Sequence, residues 1–277
     1  MAALFISADM EGCAGVASQD ALGPDRFEWT AARRWMTAEV SAAARAALAA
    51  GYDRVVIADG HGTAQNILPD ELPARCWLVR SWPRPLLQMQ GVEEPDVDAC
   101  LFIGYHGGAT YPGALLAHTY SGAAFRDLRL NGISASEGYL NAALAAEYGR
   151  PVLLVTGDAA ANDDAERYAP QAVRCILKHA FGVRSAASMS PAEACDRITE
   201  ATRAALAMPR PAPMRITPPY RLELDMTSQV AAEMLAYLPA TERVNSHTVA
   251  VNCPTLAQAM QWVSFAIVYN PKGVIQI

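Results

Sequence analysis

Asp9 and Glu11 stand two residues apart at the end of an apolar run, in ALFISA-D-M-E-G. His61 follows RVVIA-D-G, and His106 follows ACLFI-G-Y. Each group therefore lies just past the carboxyl end of an apolar, β-branched run. In extended backbone the D-x-E spacing points both carboxylates the same way. Two carboxylates on one face repel and raise each other's pKa unless a cation lies between them. Neutral imidazoles beside carboxylates suit zinc, and other divalent transition metals are compatible. Each piece alone has an ordinary reading: Asp9 as a cap, Glu11 as a solvated side chain, His61 as a structural histidine. The same arrangement at three strand ends favours a metal site. Glu137, in NGISASEGYLNA, opens a helical stretch, where a first-turn Glu helped by the helix dipole is the ordinary reading. His118, in PGALLAHTYSG, is either a satisfied structural histidine or a proton shuttle.

Other residues carry weaker signals. Lys178 is one of only two lysines, and reads as a substrate contact or an ordinary strand-end lysine. Cys13 reads as a small buried thiol rather than a ligand. Asp59 is either a partner that orients His61 or a turn former in its D-G pair. Asp158 suits a cap or a supporting contact. His179 and His247 carry no motif and are assigned to structure. The glycine-rich stretch at 107–113 is a gate or simply a turn.

These groups must be positioned by strands and helices, and the apolar patterning supplies them. Strands are expected over Ala3–Ala8, Arg54–Ala58, Cys76–Val79, Ala99–Ile103, Arg126–Asn131, Pro151–Thr156 and Ala172–Lys178. Helices are expected over Phe27–Ala50, Ser136–Tyr148, Ala159–Tyr168 and Pro191–Ala207. Alternation of this kind predicts an α/β fold, a mostly parallel three-layer sheet with helices on both faces. Three adjacent strand ends then deliver Asp9, Glu11, His61 and His106 to the edge where such sheets bind ligands. The Pro-rich Met208–Pro219 reads as a linker. Beyond it, a strand at Tyr220–Leu224, a helix at Ser228–Leu238, a strand at Val244–Val251 and a helix at Leu256–Tyr269 suggest a smaller C-terminal α+β portion. The expected division is 1–210 as a metal-binding catalytic domain and 211–277 as a small subdomain packed on it.

Composition limits the partners. The chain has 277 residues, 52% apolar and 18% charged, so a large core is available and long disorder is excluded. Net charge is −6 with no Lys/Arg run, which argues against nucleic acid. The charge-free stretch Val244–Pro271 contains Asn245, His247, Asn252, Pro254, Gln258 and Gln261, too polar for a membrane span. The N-terminal sequence has no basic leader region, and its acidic residues come early, so no signal peptide is expected. Six unpaired-looking cysteines without C-x-x-C fit reduced thiols in the cytoplasm.

The segments SADMEG (7–12), DGH (59–61), GYH (104–106), PGALLAHTYSG (112–122), SEGYLNA (136–142), PVLLVTGD (151–158) and RSAASMSP (184–191) occur in an order that resembles the zinc-dependent D-aminopeptidases of the DppA type. The resemblance spans roughly residues 3–270. It implies a dinuclear zinc site, two Zn2+ per chain. In it Asp9 bridges, Glu11 and His106 complete one ion, His61 and Glu137 complete the other, and His118 is the catalytic histidine. Relatives open the helix with Gly-Glu where this chain has Ser136-Glu137. The implied activity is hydrolysis of short peptides, with D-residues at the N-terminus, through a metal-bound hydroxide. The implied assembly is a ring-like homo-oligomer of decamer size. Alternatives are a two-metal hydrolase of another amide or phosphoester bond, and a metal- or peptide-binding protein without activity. No G-N-H-D segment supports the phosphoesterase.

Overall fold

A computed structural model describes residues 2–268. The apolar runs form strands where patterning places them: β1 (Ala3–Ala8), β2 (Arg54–Asp59), β3 (Cys76–Val79) and β4 (Val97–Tyr105), with α1 (Trp29–Ala49) after β1. The hairpin β5 (Phe125–Leu130) and β6 (Ile133–Ser134) precedes α2 (Glu137–Glu147). Next come β7 (Val152–Asp158), α3 (Ala159–Asp164), β8 (Val173–Gly182), β9 (Ser185–Ser188) and α4 (Pro191–Ala207). The chain continues through β10 (Tyr220–Met226), α5 (Gln229–Ala236), β11 (Thr241–Arg243), β12 (Thr248–Cys253) and α6 (Leu256–Val268). Tyr269, the last residue of the expected final helix, lies outside the described residues.

Seven strands form one sheet in the order β3-β2-β1-β4-β7-β8-β9. All neighbours are parallel except β8 and β9, which form a hairpin. Strand order reverses between β1 and β4, and a crevice opens outside the carboxyl ends at such a switch point. Period-two alternation divides the core. Leu4 and Ile6 of β1 face α1 and α4, where Met36, Val40, Ala194 and Ile198 bury. Phe5 and Phe102 face the opposite side with Leu140 and Leu144 of α2. The expected α/β class with helices on both faces of a mostly parallel sheet is the observed one.

The second sheet is antiparallel, in the order β11-β12-β10-β5-β6. Its central pairing joins Leu222 and Leu224 of β10 to Leu130 and Leu128 of β5. Strands from before residue 210 thus complete the sheet of the C-terminal portion, and this sheet crosses the expected boundary. Two local expectations shift. The strand expected from Val244 starts at Thr248, because Asn245 Oδ1 accepts bonds from His247 N (2.8 Å) and Thr248 N (2.9 Å) and closes a turn. The helix expected over 159–168 stops at Asp164 and continues as one 3-10 turn, Ala165–Arg167.

Candidate metal centre

β1 lies between β2 and β4, so their carboxyl ends share one edge. Ala8 pairs with Asp59 on one side and Ile103 on the other. Asp9 and Glu11 follow β1, His61 follows β2, and His106 follows β4. Asp9 follows the middle strand and uses both oxygens accordingly: Oδ1 is 3.6 Å from His61 Nδ1 and Oδ2 is 3.4 Å from His106 Nε2. Glu137 is the first residue of α2, whose N-cap Ser136 accepts a bond from Tyr139 N. Ser136 therefore gives a properly capped helix. Glu137 Oε1 is 3.4 Å from His106 Nε2 and 3.7 Å from His118 Nε2. Ligand-capable atoms of Asp9, Glu11 and His61 lie within 4.8 Å of one another, as do those of His106, His118 and Glu137.

Close backbone approach makes this convergence possible. Gly12 N donates to Gly104 O at 2.8 Å. A Cβ on Gly12 would sit 2.0 Å from Tyr105 O, and Gly104 has φ +75°. Neither position tolerates a side chain without pushing the Glu11 turn away from β4. The expected extended D-x-E backbone is not what forms. β1 ends at Ala8, and Cys13 N bonds back to Met10 O at 3.0 Å, so a turn carries Glu11. That turn sets Glu11 Oε2 2.8 Å from His61 Nδ1. The nearest neighbours are consequently Glu11 with His61 and Glu137 with His106. The cause is that β2 and β4 flank β1 on opposite sides and α2 stands on the β4 side.

The histidine rings have fixed polarity. His61 Nε2 bonds Leu22 O at 2.9 Å, His106 Nδ1 bonds Gly107 O at 2.9 Å, and His118 Nδ1 bonds Leu116 O at 2.9 Å. A carbonyl only accepts, so each of these nitrogens carries the proton and donates. The opposite nitrogen of every ring faces the carboxylates. Backbone carbonyls oriented in this way are the usual supports of metal-binding histidines. His106 Nε2 is buried with no hydrogen-bond partner. His106 and His118 stack with centroids 4.3 Å apart. The His118 side chain retains 23% exposure, so a substrate reaches it first, while His106 beneath retains 1%.

Electrostatics call for a cation. Burial, then the charges of Glu11 and Glu137, push the Asp9 carboxyl up to about 7. Burial also opposes ionisation of Glu11, but the adjacent His61 outweighs it and holds Glu11 well below the usual range. Glu137 is likewise buried and is pulled down by the adjacent His106. On the imidazoles burial favours the neutral form, yet the carboxylates win: His61 rises well above its ordinary value and His106 to about 10. The carboxylates thus draw protons onto two rings, and divalent ions would take the place of those protons. Three carboxylates, inward-facing imidazole nitrogens and one orphaned nitrogen fit such ions chemically.

The weaker candidates sort clearly. Asp59 does not touch the His61 ring. It accepts bonds from Asn66 N (2.6 Å), Asn66 Nδ2 (2.9 Å) and Ile67 N (2.8 Å), and Asn66 Nδ2 in turn holds His61 O at 2.7 Å. Asp158 caps α3 through Ala161 N at 2.7 Å and holds Gly107 N beside His106 at 3.4 Å. Cys13 is buried, and its thiol donates to Asp9 O at 3.2 Å. Gly107 and Gly108 are buried against Ala114 and Ser136, so close packing rather than gating explains them. Exposed His179 and His247, bonded to Met226 O, lie outside both ligand groups. Lys178 is neither exposed nor open to substrate; it is 1% exposed and bonds loop carbonyls.

Sequence reasoning missed the network around Glu137. Gln88 Nε2 donates to Glu137 Oε2, and Tyr120 N donates to Oε1 at 2.7 Å. Asn141 Nδ2 reaches Gln88 Oε1 (2.6 Å) and Tyr105 OH (2.8 Å), while Tyr120 OH donates to Asn141 Oδ1 at 2.7 Å. One signal was available: Asn141 lies one helical turn after Glu137 on an otherwise Ala/Leu-rich buried face, where a polar side chain needs a partner.

A family model described as D-aminopeptidase matches residues 3–265. A D-aminopeptidase from Bacillus subtilis (strain 168) is 28% identical over 261 residues, covering 93% of this chain and 94% of that protein. The chain is also similar to a solved structure described as the Zn-dependent D-aminopeptidase DppA from Bacillus subtilis, a self-compartmentalizing protease. That similarity has a TM-score of 0.90 at 25% identity and covers 96% of each chain.

Proposed function

The chain belongs to the D-aminopeptidase family and is a zinc-dependent aminopeptidase; we propose that it holds two zinc ions and releases N-terminal D-residues from short peptides. The observation that carries the two-ion reading is the posture of Asp9, with one oxygen toward His61 and the other toward His106. Glu11 and His61 would hold one ion and His106 and Glu137 the other, with Asp9 shared. When bound, such a pair polarises a carbonyl and lowers the pKa of a shared water. His118 does the proton work. Its Nδ1–H is tied to Leu116 O, so Nε2 is free to take a proton from the attacking water and pass it to the leaving amine. Nε2 stands 3.8 Å from Glu11 and 3.7 Å from Glu137, and the side chain retains 23% exposure.

A ring-like homo-oligomer, of decamer size, would restrict access to short substrates. The relative described as self-compartmentalizing supports this, as do the exposed Phe27, Phe181 and Val183. A cytoplasmic setting fits the six free cysteines. No helix among the described residues is long and apolar enough to cross a membrane. The 1–210 segment is read as the catalytic portion and 211–277 as its smaller companion.

The deciding experiment is a panel of L- and D-configured dipeptides, including D-Ala-D-Ala, on protein of known metal content. The expected result is two zinc ions per chain and faster release from the D-series. Two ions without peptide turnover would indicate a binding protein, and phosphoester turnover instead would indicate a different hydrolase.

A further inference from the structure

We propose that Lys178 and Glu39 are positioning residues that clamp the 9–16 loop from behind and so set the metal affinity of the Asp9–Glu11–His61 group. The proposal rests on the reading of that group as metal ligands. Lys178 lies on β8 and Glu39 on α1, both fully enclosed. Lys178 Nζ donates to the carbonyls of Glu11, Cys13 (2.8 Å) and Val16. An ammonium has three protons, and here all three go to one loop. Glu39 Oε1 accepts from Ala14 N at 2.7 Å. The loop is thus gripped by its carbonyls from one side and by an amide from the other.

The choice of residues is informative. Three carbonyls converging on one buried point repel one another. A neutral hydroxyl or amide cannot supply three protons from a single atom, whereas an ammonium can. Burying an ammonium is costly unless charge-assisted bonds compensate. A lysine buried to satisfy main-chain oxygens alone is therefore justified by the shape it imposes on that main chain. Glu11 is the first residue it touches, and the Glu11 carboxylate is aimed at His61 from the same turn. Neither Lys178 nor Glu39 belongs to a ligand group, so both act through the backbone.

The test is zinc binding by Lys178→Met, which keeps length and removes all donors. Two dissociation constants are measured by competition with a chromophoric chelator, and Glu11→Ala identifies the constant that belongs to the Asp9–Glu11–His61 group. In Lys178→Met that constant is expected to weaken about 10- to 100-fold, as for other residues that orient ligands indirectly, while the second constant stays within about twofold of wild type. Turnover should recover as zinc is raised. Unchanged constants in folded protein, or an equal weakening of both, would overturn the proposal. If Lys178→Met fails to fold, Glu39→Ala, which keeps the lysine, decides by the same measurement with the same expected pattern. Wild-type protein that takes up no zinc would instead remove the metal reading on which the proposal stands.

Discussion

The two ligand groups are supported in different ways. Asp9, Glu11 and His61 sit on loops, and their support reaches the main chain: Lys178 and Glu39 grip 11–16, and the Asp59–Asn66 pair grips 61–67. Glu137 sits in a capped helix, and its support reaches the side chain, through Gln88, Tyr120 N and the Asn141 bridge behind them. The difference has a simple cause. A helix fixes its backbone by its own hydrogen bonds, so only the rotamer of Glu137 remains to be set. A loop has no such internal ladder, and a carboxylate on it is only as well placed as its carbonyls and amides. Loop ligands need backbone partners, and helix ligands need side-chain partners.

Asp9 is where the two supports meet, and its removal is the largest effect expected. In Asp9→Ala both imidazoles lose their shared carboxylate. Both zinc ions should be lost together, with turnover falling below detection, as read by metal analysis and a D-peptide assay. A variant that kept one ion at full affinity would show that the groups are separate sites, and the comparison would become one between independent centres.

His118 tests where the second group ends. Its Nε2 approaches both Glu11 and Glu137, yet geometry also places it within a ligand-capable set with His106 and Glu137. As a proton carrier it should be dispensable for binding. His118→Ala is expected to retain two zinc ions and to lose about 10²- to 10⁴-fold in kcat, the usual range for a general acid–base group. Loss of one ion in that variant would make His118 a ligand and give the second group a further loop-borne member beside His106.

What was legible beforehand follows the same division. Buried parallel strands read as continuous apolar runs, so Ala3–Ala8, Arg54–Ala58 and Ala99–Ile103 stood out, and the residues after them came along. Contacts that depend on distant pairing did not stand out. Nothing local tells Phe125–Leu130 to pair with Tyr220–Met226, and the C-terminal sheet appeared self-contained for that reason. Glu137 reaches the site only because α2 starts beside the end of β4, which no spacing encodes; family resemblance pointed to it. Lys178 looked like a strand-end lysine because its three acceptors are main-chain atoms, invisible in side-chain patterning. Gln88 and Asn141 belong to different segments, and their pairing depends on the fold being complete.

The smallest effect concerns the nature of the clamp on the first group. Burial pushes the Glu39 carboxyl up from its ordinary 4.5 to about 7, against the opposing pull of Ala14 N, the Cys13 thiol and the Lys178 charge. No ion pair within 4.0 Å joins Glu39 to Lys178 among the described residues, so the two grip the loop separately. A carboxyl with a raised folded-state pKa holds a proton that the unfolded chain has released. Between about pH 4.5 and 7 the folded protein therefore binds more protons, and stability falls as pH rises through this window. The contribution is complete below 4.5 and is mostly gone near 7. Glu39→Gln abolishes this titration while its side-chain oxygen can still accept from Ala14 N. Zinc-loaded wild type and variant, unfolded by denaturant at pH 5 and pH 7, share every other titrating group. Wild type should lose on the order of 2 kcal/mol relative to the variant between the two pH values, since a tenfold difference in proton affinity between folded and unfolded chain is worth about 1.4 kcal/mol. A difference that stays flat would mean that Glu39 is ionised throughout. The clamp would then be a charge pair acting across the loop, and the first group would be held electrostatically as well as through its backbone.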